Sequence, residues 1–430
     1  MNYKETLDFL YSQLPAYQRI GKAAYKANLD NTLALDRYFG SPHKAFATIH
    51  IAGTNGKGSV SHMMASVLQM AGYKTGLYTS PHLRDFRERI RVNGIMIPEE
   101  DVVSFVSQHR EIIESVSPSF FEMSVALAFD YFKKMKVDIA VIETGMGGRL
   151  DSTNIITPLL SVITNIGHDH MEFLGNTLEL VAAEKGGIIK AGIPVVIGES
   201  QDETAPVFEA IALSKGSPVF FADRNYHCTL APLKIDEMTR RYTVRRLEDP
   251  KDFSGITPLP GDYQSKNLVT LFQAMELIES PFKVSPEILI KGIEATKQLT
   301  GLLGRWQLLR RDPVVICDTG HNKEGIGYVM SQIAGLKYEK LHIVLGVVND
   351  KDLSSILPLF PVDAKYYFTR ASIPRALDEN LLNTEAGKYG LRGSSYPDVA
   401  TAYKTALGSA GINDLIFIGG STFVVAEVVW

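Results

Sequence analysis

The chain has 430 residues, of which 45% are hydrophobic and 21% are charged, and its formal net charge is -4. This length exceeds what one hydrophobic core usually serves, so we expect two domains. The nearly balanced charge argues against a polyanion-binding surface, and therefore against nucleic acid as a partner. The first residues are too polar for a signal peptide, and no run approaches the length of a membrane span. We therefore expect a cytoplasmic protein with no membrane partner.

The first predicted strand covers Ala45–Ile51 and leads into the glycine-rich run Gly53-Thr-Asn-Gly-Lys-Gly-Ser59. Apolar residues at helical spacing follow from Val60 to Ala71, so the loop opens a helix that Gly72 closes. Glycines let backbone N–H groups point at an anion, a lysine adds positive charge, and a serine hydroxyl reaches magnesium. The run therefore predicts a nucleoside triphosphate site with magnesium at the N-terminus of a helix, formed by Asn55, Gly56, Lys57, Gly58 and Ser59.

This loop is shorter than the general P-loop. Only two residues separate Gly53 from the Gly-Lys pair, where the general motif has four, and Gly58 separates the lysine from the hydroxyl. The run is therefore either a specialised variant or a chance glycine-rich turn. The order of strand, loop, lysine, hydroxyl and amphipathic helix favours the variant.

Strand-like runs continue to alternate with helical ones, which predicts an α/β fold with a parallel sheet flanked by helices. The segment Arg89–Ile97 reads as a hairpin around an Asn-Gly turn, with a helix starting after Pro98. Cys228–Phe253 is charged and irregular and predicts a small β excursion, before helical patterning from Asp262 to Ile278. The further strands are expected at Thr75–Tyr78, Val137–Glu143, Leu159–Ile166 and Ile193–Gly198.

A second α/β series follows the run Gly304-Arg305. We place the boundary near residues 297 to 302, which gives domains 1–298 and 299–430. The two cysteines, Cys228 and Cys317, are too far apart for a CxxC metal site, so we predict two buried, reduced thiols. The strands of the second series are expected at Val314–Cys317, Leu341–Val348, Lys365–Phe368 and Leu415–Ile418.

Several polar clusters follow predicted strands, at the edge where parallel sheets bind ligands. Glu143 precedes a run of glycines and Arg149, and a carboxylate there suits magnesium beside phosphate oxygens. After the next strand, either His168 or His170 is a candidate for a second metal position. Ser80 lies in Thr-Ser-Pro-His, which is either a turn or a hydroxyl aimed at the ion.

Two further clusters contain candidate charges. Lys185 lies in a last helical turn before two glycines, where a lysine that complements the helix dipole is at least as good an interpretation as a catalytic one. In the second domain, Asp318 and His321 follow a strand, and Arg305 precedes it. Arginine suits phosphate because its planar fork donates in pairs, so we expect the second domain to contact a nucleotide bound by the first.

Together these runs resemble the folylpolyglutamate synthase and dihydrofolate synthase family, whose members are relatives of the Mur ligases. The resemblance extends from about residue 30 to the end of the chain. It implies an N-terminal P-loop parallel-sheet ATPase domain like the Mur ligase central domain, and a smaller Rossmann-like C-terminal α/β domain. The runs that support it are Gly-Thr-Asn-Gly-Lys-Gly-Ser, Thr-Ser-Pro-His, Glu-Thr-Gly-Met-Gly-Gly-Arg-Leu-Asp-Ser-Thr-Asn, Asp-His, Glu-Lys-Gly-Gly-Ile, Gly-Arg-Trp-Gln and Asp-Thr-Gly-His-Asn.

The resemblance implies a monomeric, ATP-dependent ligase for small molecules. A carboxylate of dihydropteroate or a folate is phosphorylated, and the amino group of L-glutamate attacks the acyl phosphate. We expect an enzyme that adds both the first and later glutamates. By analogy, the magnesium ligands are Ser80, Glu143 and His170, with two Mg²⁺ sites expected. The other ATP contacts are Asn267, Arg305 and Asp318, and the catalytic residues are Lys57, Lys185 and His321.

The resemblance also implies that Lys185 is carbamylated, which turns a cation into an anionic metal ligand. Carbamylation needs an uncharged amine, so the pKa of Lys185 should be lowered by burial or by nearby positive charge. The pterin side of the site is expected at Asp30, Phe120, Phe121, Glu122, Leu150, Asp151 and Ser152.

The chain departs from the common family pattern in a few places. Thr319 and Gly320 replace a more usual Gly-Ala pair, Gly186 replaces alanine, and Trp306 replaces a frequent phenylalanine. We expect Trp306 to be a buried core residue rather than a stacking surface. Two other functions remain as alternatives: a muramyl-peptide-type ligase with a UDP-linked substrate, and a P-loop NTPase switch. The sequence lacks the guanine-recognition motif that is typical of such a switch.

Overall fold

The computed structural model describes residues 1–15, 28–235, 237–249, 251–278 and 281–429. The chain divides into two compact units. The first unit comprises Met1–Ala231, Arg241–Pro258 and Gln264–Gly301. The second comprises Pro232–Arg240, Leu259–Tyr263 and the chain from Leu302 onward. Two short segments of the second unit therefore lie within the sequence of the first, which the sequence pattern did not indicate.

The first unit is built on an eight-stranded sheet with the order β4-β3-β2-β5-β1-β6-β7-β8. Strands β2, β5, β1, β6, β7 and β8 are parallel, while β3 and β4 form an antiparallel hairpin at one edge. The central strands are buried along nearly their whole length, as expected for a sheet covered on both faces. The strands are β1 Ala47–Ala52, β2 Thr75–Tyr78, β3 Ile90–Val92, β4 Ile95–Met96, β5 Ile139–Glu143, β6 Leu160–Ile163, β7 Val195–Ile197 and β8 Val219–Phe221.

Helices connect and cover these strands. They are Tyr3–Gln13, Asp30–Tyr38, Lys57–Met70, Glu99–Gln108, Arg110–Val116, Phe120–Met135, Met171–Leu174, Leu178–Gly186, Ala205–Ser214, Ala222–Asn225, Gln264–Glu276, Pro286–Glu294 and Thr296–Thr300. Short 3₁₀ turns occur at Pro42–Ala45, Phe86–Arg89 and Ser152–Ile155. The predicted β excursion is a three-stranded sheet of β9 Tyr226–Leu230, β10 Arg240–Arg246 and β11 Asp252–Thr257.

Local chemistry accounts for several boundaries in this unit. Asn93 and Gly94 both have positive φ, 47° and 76°, as a two-residue turn between β3 and β4 requires. The helix Phe120–Met135 starts with a capping box, in which Ser119 and Glu122 each satisfy the other's backbone N–H. Its apolar face packs into a core cluster with Tyr78, and burial of such faces supplies most of a helix's stability.

The second unit contains a six-stranded sheet with the order β12-β13-β17-β14-β15-β16. Only β12 is antiparallel to its neighbour, so the sheet is predominantly parallel. Its strands are β12 Gln307–Arg310, β13 Val314–Cys317, β14 Leu341–Leu345, β15 Lys365–Phe368, β16 Arg392–Ser395 and β17 Leu415–Gly419. Its helices are Lys323–Ala334, Leu353–Ile356, Glu379–Gly387, Val399–Ser409 and Thr422–Ala426, with a 3₁₀ turn at Leu357–Leu359.

The predicted α/β class and the parallel sheets are confirmed, with strand ends that differ from the predicted ones by a few residues at most. Strands β8, β12 and β16 were not predicted. Trp306 is fully buried in the core of the second unit, as expected. The prediction of two buried thiols was wrong for one cysteine, because Cys317 is buried whereas Cys228 lies on the small sheet and is only partly buried. Over the described ranges, every helix is too short or too polar to cross a membrane.

Candidate active site

The glycine-rich loop connects β1 to the helix Lys57–Met70. Gly56 lies immediately before this helix and has a φ of 85°, and Gly53 has a φ of 145°. A Cβ atom at Gly56 would collide with the side-chain oxygen of Asn267, and one at Gly53 would collide with the hydroxyl of Thr164. Both positions therefore require glycine for its conformational range and for its lack of a side chain. The predicted phosphate loop has the strand-to-helix geometry that anion binding needs.

The residues after β6 fix this loop. The backbone N–H of Asn55 donates to Asn165 Oδ1 at 2.8 Å, and the Thr164 hydroxyl donates to the Asn55 carbonyl at 2.5 Å. The Thr54 hydroxyl exchanges hydrogen bonds with the backbone of Gly167. These supporting roles of Thr164 and Asn165 were not predicted. Their position directly after a buried strand next to β1 was the available signal.

Two lysines reach the loop. Lys57 Nζ donates to the carbonyls of Gly53 at 2.9 Å and Thr54 at 3.2 Å, and Lys185 Nζ also donates to the Gly53 carbonyl at 2.9 Å. Lys185 is only 4% exposed. Burial, with a further contribution from the charge of Lys57, lowers the pKa of Lys185 to about 7, although Asp169 opposes the shift. Although Lys185 does occupy a last helical turn, its amine is directed at the loop rather than at its own helix end.

The Ser59 hydroxyl is buried at the start of the same helix. Gln264 Nε2 donates to Ser59 Oγ at 3.2 Å, and Asn267 Nδ2 donates to Gln264 Oε1 at 2.8 Å. Gln264 and Asn267 are one turn apart on the helix Gln264–Glu276, which brings the predicted ATP contact Asn267 against the phosphate loop. Gln264 was not predicted, since a glutamine at a helix start has no distinctive sequence signal.

Glu143 ends β5 at the same sheet edge, and its backbone is in register with Ile51, two residues before Gly53. Glu143 is 3% exposed, and its Oε2 accepts the backbone N–H of Ser80 at 3.1 Å. The structure therefore brings two of the three predicted metal ligands together. The neighbouring Thr144 hydroxyl is buried and has no hydrogen-bond partner among the described residues.

His170 lies at the start of the short helix Met171–Leu174, with a φ of 51°. Its backbone N–H donates to Asp169 Oδ1 at 3.0 Å, and its ring Nε2 lies 4.0 Å from Asp169 Oδ2. Across the described ranges, no three His, Cys, Asp or Glu side chains form a ready metal cluster, but the predicted set has only two such residues and a serine. A carboxylate and an unsatisfied hydroxyl beside a phosphate loop fit Mg²⁺, which keeps several waters and takes phosphate oxygens.

The glycine run after Glu143 is organised by Asp151. Its Oδ2 accepts the backbone N–H groups of Gly145 at 2.8 Å and Met146 at 2.9 Å, and its Oδ1 accepts the N–H and hydroxyl of Thr153. Burial raises the pKa of Asp151, although these four hydrogen bonds oppose the shift. Ser152 is also buried, and Leu150 is partly buried.

The other predicted pterin residues lie in different environments. Phe120 is buried and stacks on Tyr11 with ring centroids 5.0 Å apart, so it behaves as a core residue. The tip of the Phe121 ring lies against Gly145, where a Cβ would be 2.5 Å from the ring. Glu122 is buried and accepts from the backbone of Ser119 and from Asn31 Nδ2 at 3.3 Å. Asp30 is exposed in the first turn of its helix.

In the second unit, Asp318 is a buried acceptor. It accepts from the backbone N–H groups of Trp306 and Gly320, both at 2.7 Å, and from the Tyr263 hydroxyl at 2.6 Å. Burial raises the pKa of Asp318, and the charge of Arg305 opposes the shift. The same burial, with the charge of Asp318, raises the pKa of Tyr263 well above its ordinary value. Tyr263 therefore supports Asp318, a role that was not predicted.

Arg305 and His321 both contact Thr319 in this unit. Arg305 donates to the carbonyl of Gly304 at 3.3 Å and to the hydroxyl of Thr319, and His321 Nδ1 lies 2.9 Å from the Thr319 carbonyl. Asp318, Arg305 and His321 therefore share one polar cluster at the carboxyl end of β13, as the sequence predicted for a strand end.

Comparison with known proteins agrees with this arrangement. The Mur ligase middle domain matches residues 51–275, and the Mur ligase glutamate ligase domain matches residues 304–422. The folylpolyglutamate synthase of Lacticaseibacillus casei is 31% identical, with 100% of this chain and 98% of the relative covered. The dihydrofolate synthase/folylpolyglutamate synthase of Bacillus subtilis is 33% identical, with 95% of each chain covered.

Solved structures give the same result. E. coli FolC in complex with DHPP and ADP has a TM-score of 0.84 and 27% identity, covering 100% of this chain and 97% of that one. A bifunctional folylpolyglutamate synthase/dihydrofolate synthase with Mn, AMPPNP and L-glutamate bound has a TM-score of 0.83 and 26% identity, with the same coverage. The chain therefore belongs to the Mur ligase family, in its branch of folylpolyglutamate and dihydrofolate synthases.

Proposed function

We propose that this chain joins L-glutamate to dihydropteroate, and to the γ-carboxylate of folate glutamates, in an ATP-dependent reaction through an acyl phosphate. The observation that carries the proposal is the arrangement around Gly53, where two lysines meet a phosphate-type loop beside the buried Glu143. The relatives' names support ligation of glutamate to folates, and the related structures contain ADP, AMPPNP, Mn and L-glutamate.

Electrostatics explains why this arrangement suits the reaction. A carboxylate and a triphosphate are both anionic, so their approach is unfavourable unless positive charge is already in place. Lys57 and the backbone N–H groups of the loop would hold the phosphates, while Glu143 and Ser80 would hold a divalent metal together with His170. When bound, magnesium neutralises charge on the transferring phosphate. Positioning of the substrates supplies the remaining rate enhancement.

We further propose that Lys185 is carbamylated in the active enzyme. A carbamate forms when an uncharged amine attacks CO₂ and loses a proton, and the pKa of about 7 makes the uncharged amine of Lys185 abundant at neutral pH. The carbamate would be anionic beside the metal ligands, so it would add to the metal site. We associate the second of the two expected Mg²⁺ sites with this carbamate.

The test for the carbamate uses ¹³C-labelled bicarbonate. Enzyme prepared without CO₂ should regain activity when bicarbonate is added, and a carbamate signal should appear in the wild type but not in Lys185→Met. A carbamate-dependent enzyme would also lose activity in Lys185→Ala and regain part of it with a short carboxylic acid. Full activity in Lys185→Ala without such an addition would exclude the proposal.

We assign the substrate's pterin portion to the surface formed by Phe121 and the glycine run from Gly145, with Ser152 and Leu150 nearby in sequence. Phe121 supports this role because its ring lies against Gly145 and stays partly exposed. Phe120, Glu122 and Asp151 would act from behind this surface, since each is buried and already engaged in packing or hydrogen bonds. Asp30, which is exposed, would contribute from the preceding helix.

In the second unit we assign further ATP contacts to Arg305 and Asp318, and a catalytic role to His321. The support is chemical. A guanidinium suits phosphate oxygens, and a buried carboxylate held by three donors suits the hydroxyl or amino groups of a nucleoside.

The deciding experiment measures ADP release and glutamyl product together. Purified protein receives ATP, Mg²⁺ and glutamate with either dihydropteroate or a reduced folate monoglutamate. The proposal expects ADP release that requires both organic substrates, and one new glutamyl linkage per ADP, with both acceptors. ADP release without glutamate or pterin would favour an NTPase switch. Turnover only with a UDP-linked muramyl acceptor would favour a muramyl-peptide-type ligase.

A further inference from the structure

A buried chain of hydrogen bonds leads from strand β1 to the glycine run after Glu143. His50 lies in β1 and is 0% exposed, and its Nε2 is 2.8 Å from the hydroxyl of Thr153. That hydroxyl is 2.5 Å from Asp151 Oδ1. Asp151 Oδ2 in turn accepts the N–H groups of Gly145 and Met146. His50 and Thr153 are not among the predicted site residues, so this series of hydrogen bonds has no role assigned so far.

The direction of each hydrogen bond follows from the donors present. Three backbone N–H groups point at the Asp151 carboxyl, which favours its ionised form. Asp151 Oδ1 already accepts the backbone N–H of Thr153, and the Thr153 hydroxyl donates to the same oxygen. The remaining lone pairs of that hydroxyl accept, and His50 Nε2 is therefore the donor.

This direction fixes the state of the His50 ring. Burial, with a contribution from Lys190, lowers the pKa of His50 to about 3, in agreement with a neutral ring. Its proton is on Nε2, and Nδ1 has no hydrogen-bond partner among the described residues. His50 is thus committed to a single donated hydrogen bond, and it has one acceptor for that proton, Thr153.

This series of hydrogen bonds ends at the pterin-binding surface proposed above. Asp151 receives four hydrogen bonds, which is about the full accepting capacity of a carboxylate. The Asp151 carboxylate therefore holds the backbone of Gly145 and Met146 in place and has little capacity left for further hydrogen bonds. Gly145 lies against the tip of the Phe121 ring, and it follows Glu143 by two residues.

We propose that His50 and Thr153 are positioning residues for the pterin-bearing substrate. They orient Asp151, and Asp151 fixes the backbone of Gly145 and Met146. This backbone, together with Phe121, forms the pterin-binding surface. The inference rests on the proposed function. If the two residues had a purely structural role, their loss would change only the fraction of folded enzyme. A positioning role also changes substrate binding in the enzyme that remains folded.

The first test compares Thr153→Val, which removes the hydroxyl at constant size, with Thr153→Ser, which keeps it. The matched control is Thr296→Val, because the Thr296 hydroxyl is also fully buried in the first unit but donates to backbone carbonyls of the preceding helix, those of Gly292 and Ile293. KM is the deciding quantity, since it does not depend on the fraction of protein that is folded. Thr153→Val should raise KM for the pterin or folate substrate about tenfold with KM for ATP within about twofold, whereas Thr153→Ser and Thr296→Val should keep both values.

A second test uses His50. His50→Leu should raise the same KM, and His50→Gln, which keeps an N–H donor at a similar reach, should restore most of it. The double variant His50→Leu/Thr153→Val should be no worse than Thr153→Val alone, because one break already interrupts the chain. Additive effects would show that the two residues act separately and would overturn the proposal.

The outcomes also separate this inference from the proposed function. If wild type and Thr153→Ser form no glutamyl product, the proposed function has failed. If both form product and Thr153→Val keeps its pterin KM, only the positioning role has failed. If Thr153→Val does not fold, His50→Leu and His50→Gln carry the same comparison.

Discussion

Lys57 and Lys185 donate to the same acceptor, the carbonyl oxygen of Gly53, each at 2.9 Å. Two ammonium groups at one oxygen repel each other, and the buried one loses more by staying charged. The pKa of Lys185 accordingly falls to about 7. The partly buried Lys57 is therefore the cation available to phosphate. The amine of Lys185 is uncharged in a large share of molecules at neutral pH.

The first prediction concerns stability against pH. Because the pKa of Lys185 is about 7 when folded and 10.5 when unfolded, the unfolded chain binds more protons between these values. Its contribution to the free energy of unfolding should therefore rise with pH above 7, by up to about 1.4 kcal/mol per pH unit. The rise ends near the unfolded value.

The measurement is urea unfolding at pH 7, 8 and 9 in CO₂-free buffer. The wild type should gain stability over this range relative to Lys185→Met, which removes the titrating amine at similar length. The comparison is needed because Lys190, whose pKa is lowered to about 8 by burial, titrates in the same direction in both proteins. Parallel curves for the two proteins would contradict the prediction.

The second prediction concerns Gly56. Gly56→Ala places a side chain at a φ of 85° and against Asn267, whereas Gly72→Ala places one at a φ of 91° in open space. Both should lose roughly 1–2 kcal/mol of unfolding free energy, because left-handed backbone is unfavourable for alanine. Only Gly56→Ala should also weaken ATP binding, by at least about tenfold, because its loop amides would be displaced. Isothermal titration with ATP and Mg²⁺ gives the result, and equal affinities in the two variants would refute it.

The third prediction concerns Glu143. Glu143→Gln keeps an oxygen to accept the Ser80 N–H but removes the negative charge. We expect the fold to remain intact and kcat/KM to fall at least about a hundredfold, with a higher Mg²⁺ concentration needed for half-maximal rate. The same substitution at Glu114, in an exposed ion pair with Arg110, is the control and should change neither quantity. An unchanged Mg²⁺ requirement in Glu143→Gln would remove Glu143 from the metal site.

The fourth prediction concerns Tyr263 in the second unit. Tyr263→Phe removes a donor from the buried Asp318 carboxylate, which should cost about 1.5–3 kcal/mol of unfolding free energy and raise the pKa of Asp318 further. ADP affinity should fall as well, if Asp318 contacts the nucleotide. Tyr366→Phe is the control, since Tyr366 is a buried tyrosine of the same unit that donates to a backbone carbonyl. A loss of stability in both variants with unchanged ADP affinity would exclude Asp318 as a nucleotide contact.

Sequence patterns were sufficient for the fold class because the central strands are continuous apolar runs that end in glycine or polar residues. Thr75–Tyr78 and Lys365–Phe368 were predicted with their observed limits. The strands that were missed have no such pattern. Arg392–Ser395 contains no apolar residue and is a strand only because it pairs with β15, and Gln307–Arg310 pairs with β13 through an irregular register.

The candidate site divides in the same way. Residues within one short run, such as those from Gly53 to Ser59, were predicted because the chemistry of the run is local. Gln264 and Tyr263 were not, because their partners Ser59 and Asp318 lie 205 and 55 residues away. The hydrogen bond from the Lys185 amine to Gly53 could not be predicted either. A lysine in a last helical turn has the same sequence pattern whether its amine faces solvent or a distant loop.

The chain passes between the two units at five peptide bonds, since 232–240 and 259–263 belong with the portion from Leu302 onward. A fragment that starts at Leu302 would lack Tyr263, the hydroxyl donor to Asp318, and Asp262, whose N–H donates to Gln332 at 2.7 Å. Replacing the portion from Leu302 onward with that of a homologue would therefore transfer only part of the second unit. A chimaera that keeps this body whole must exchange three separate stretches together.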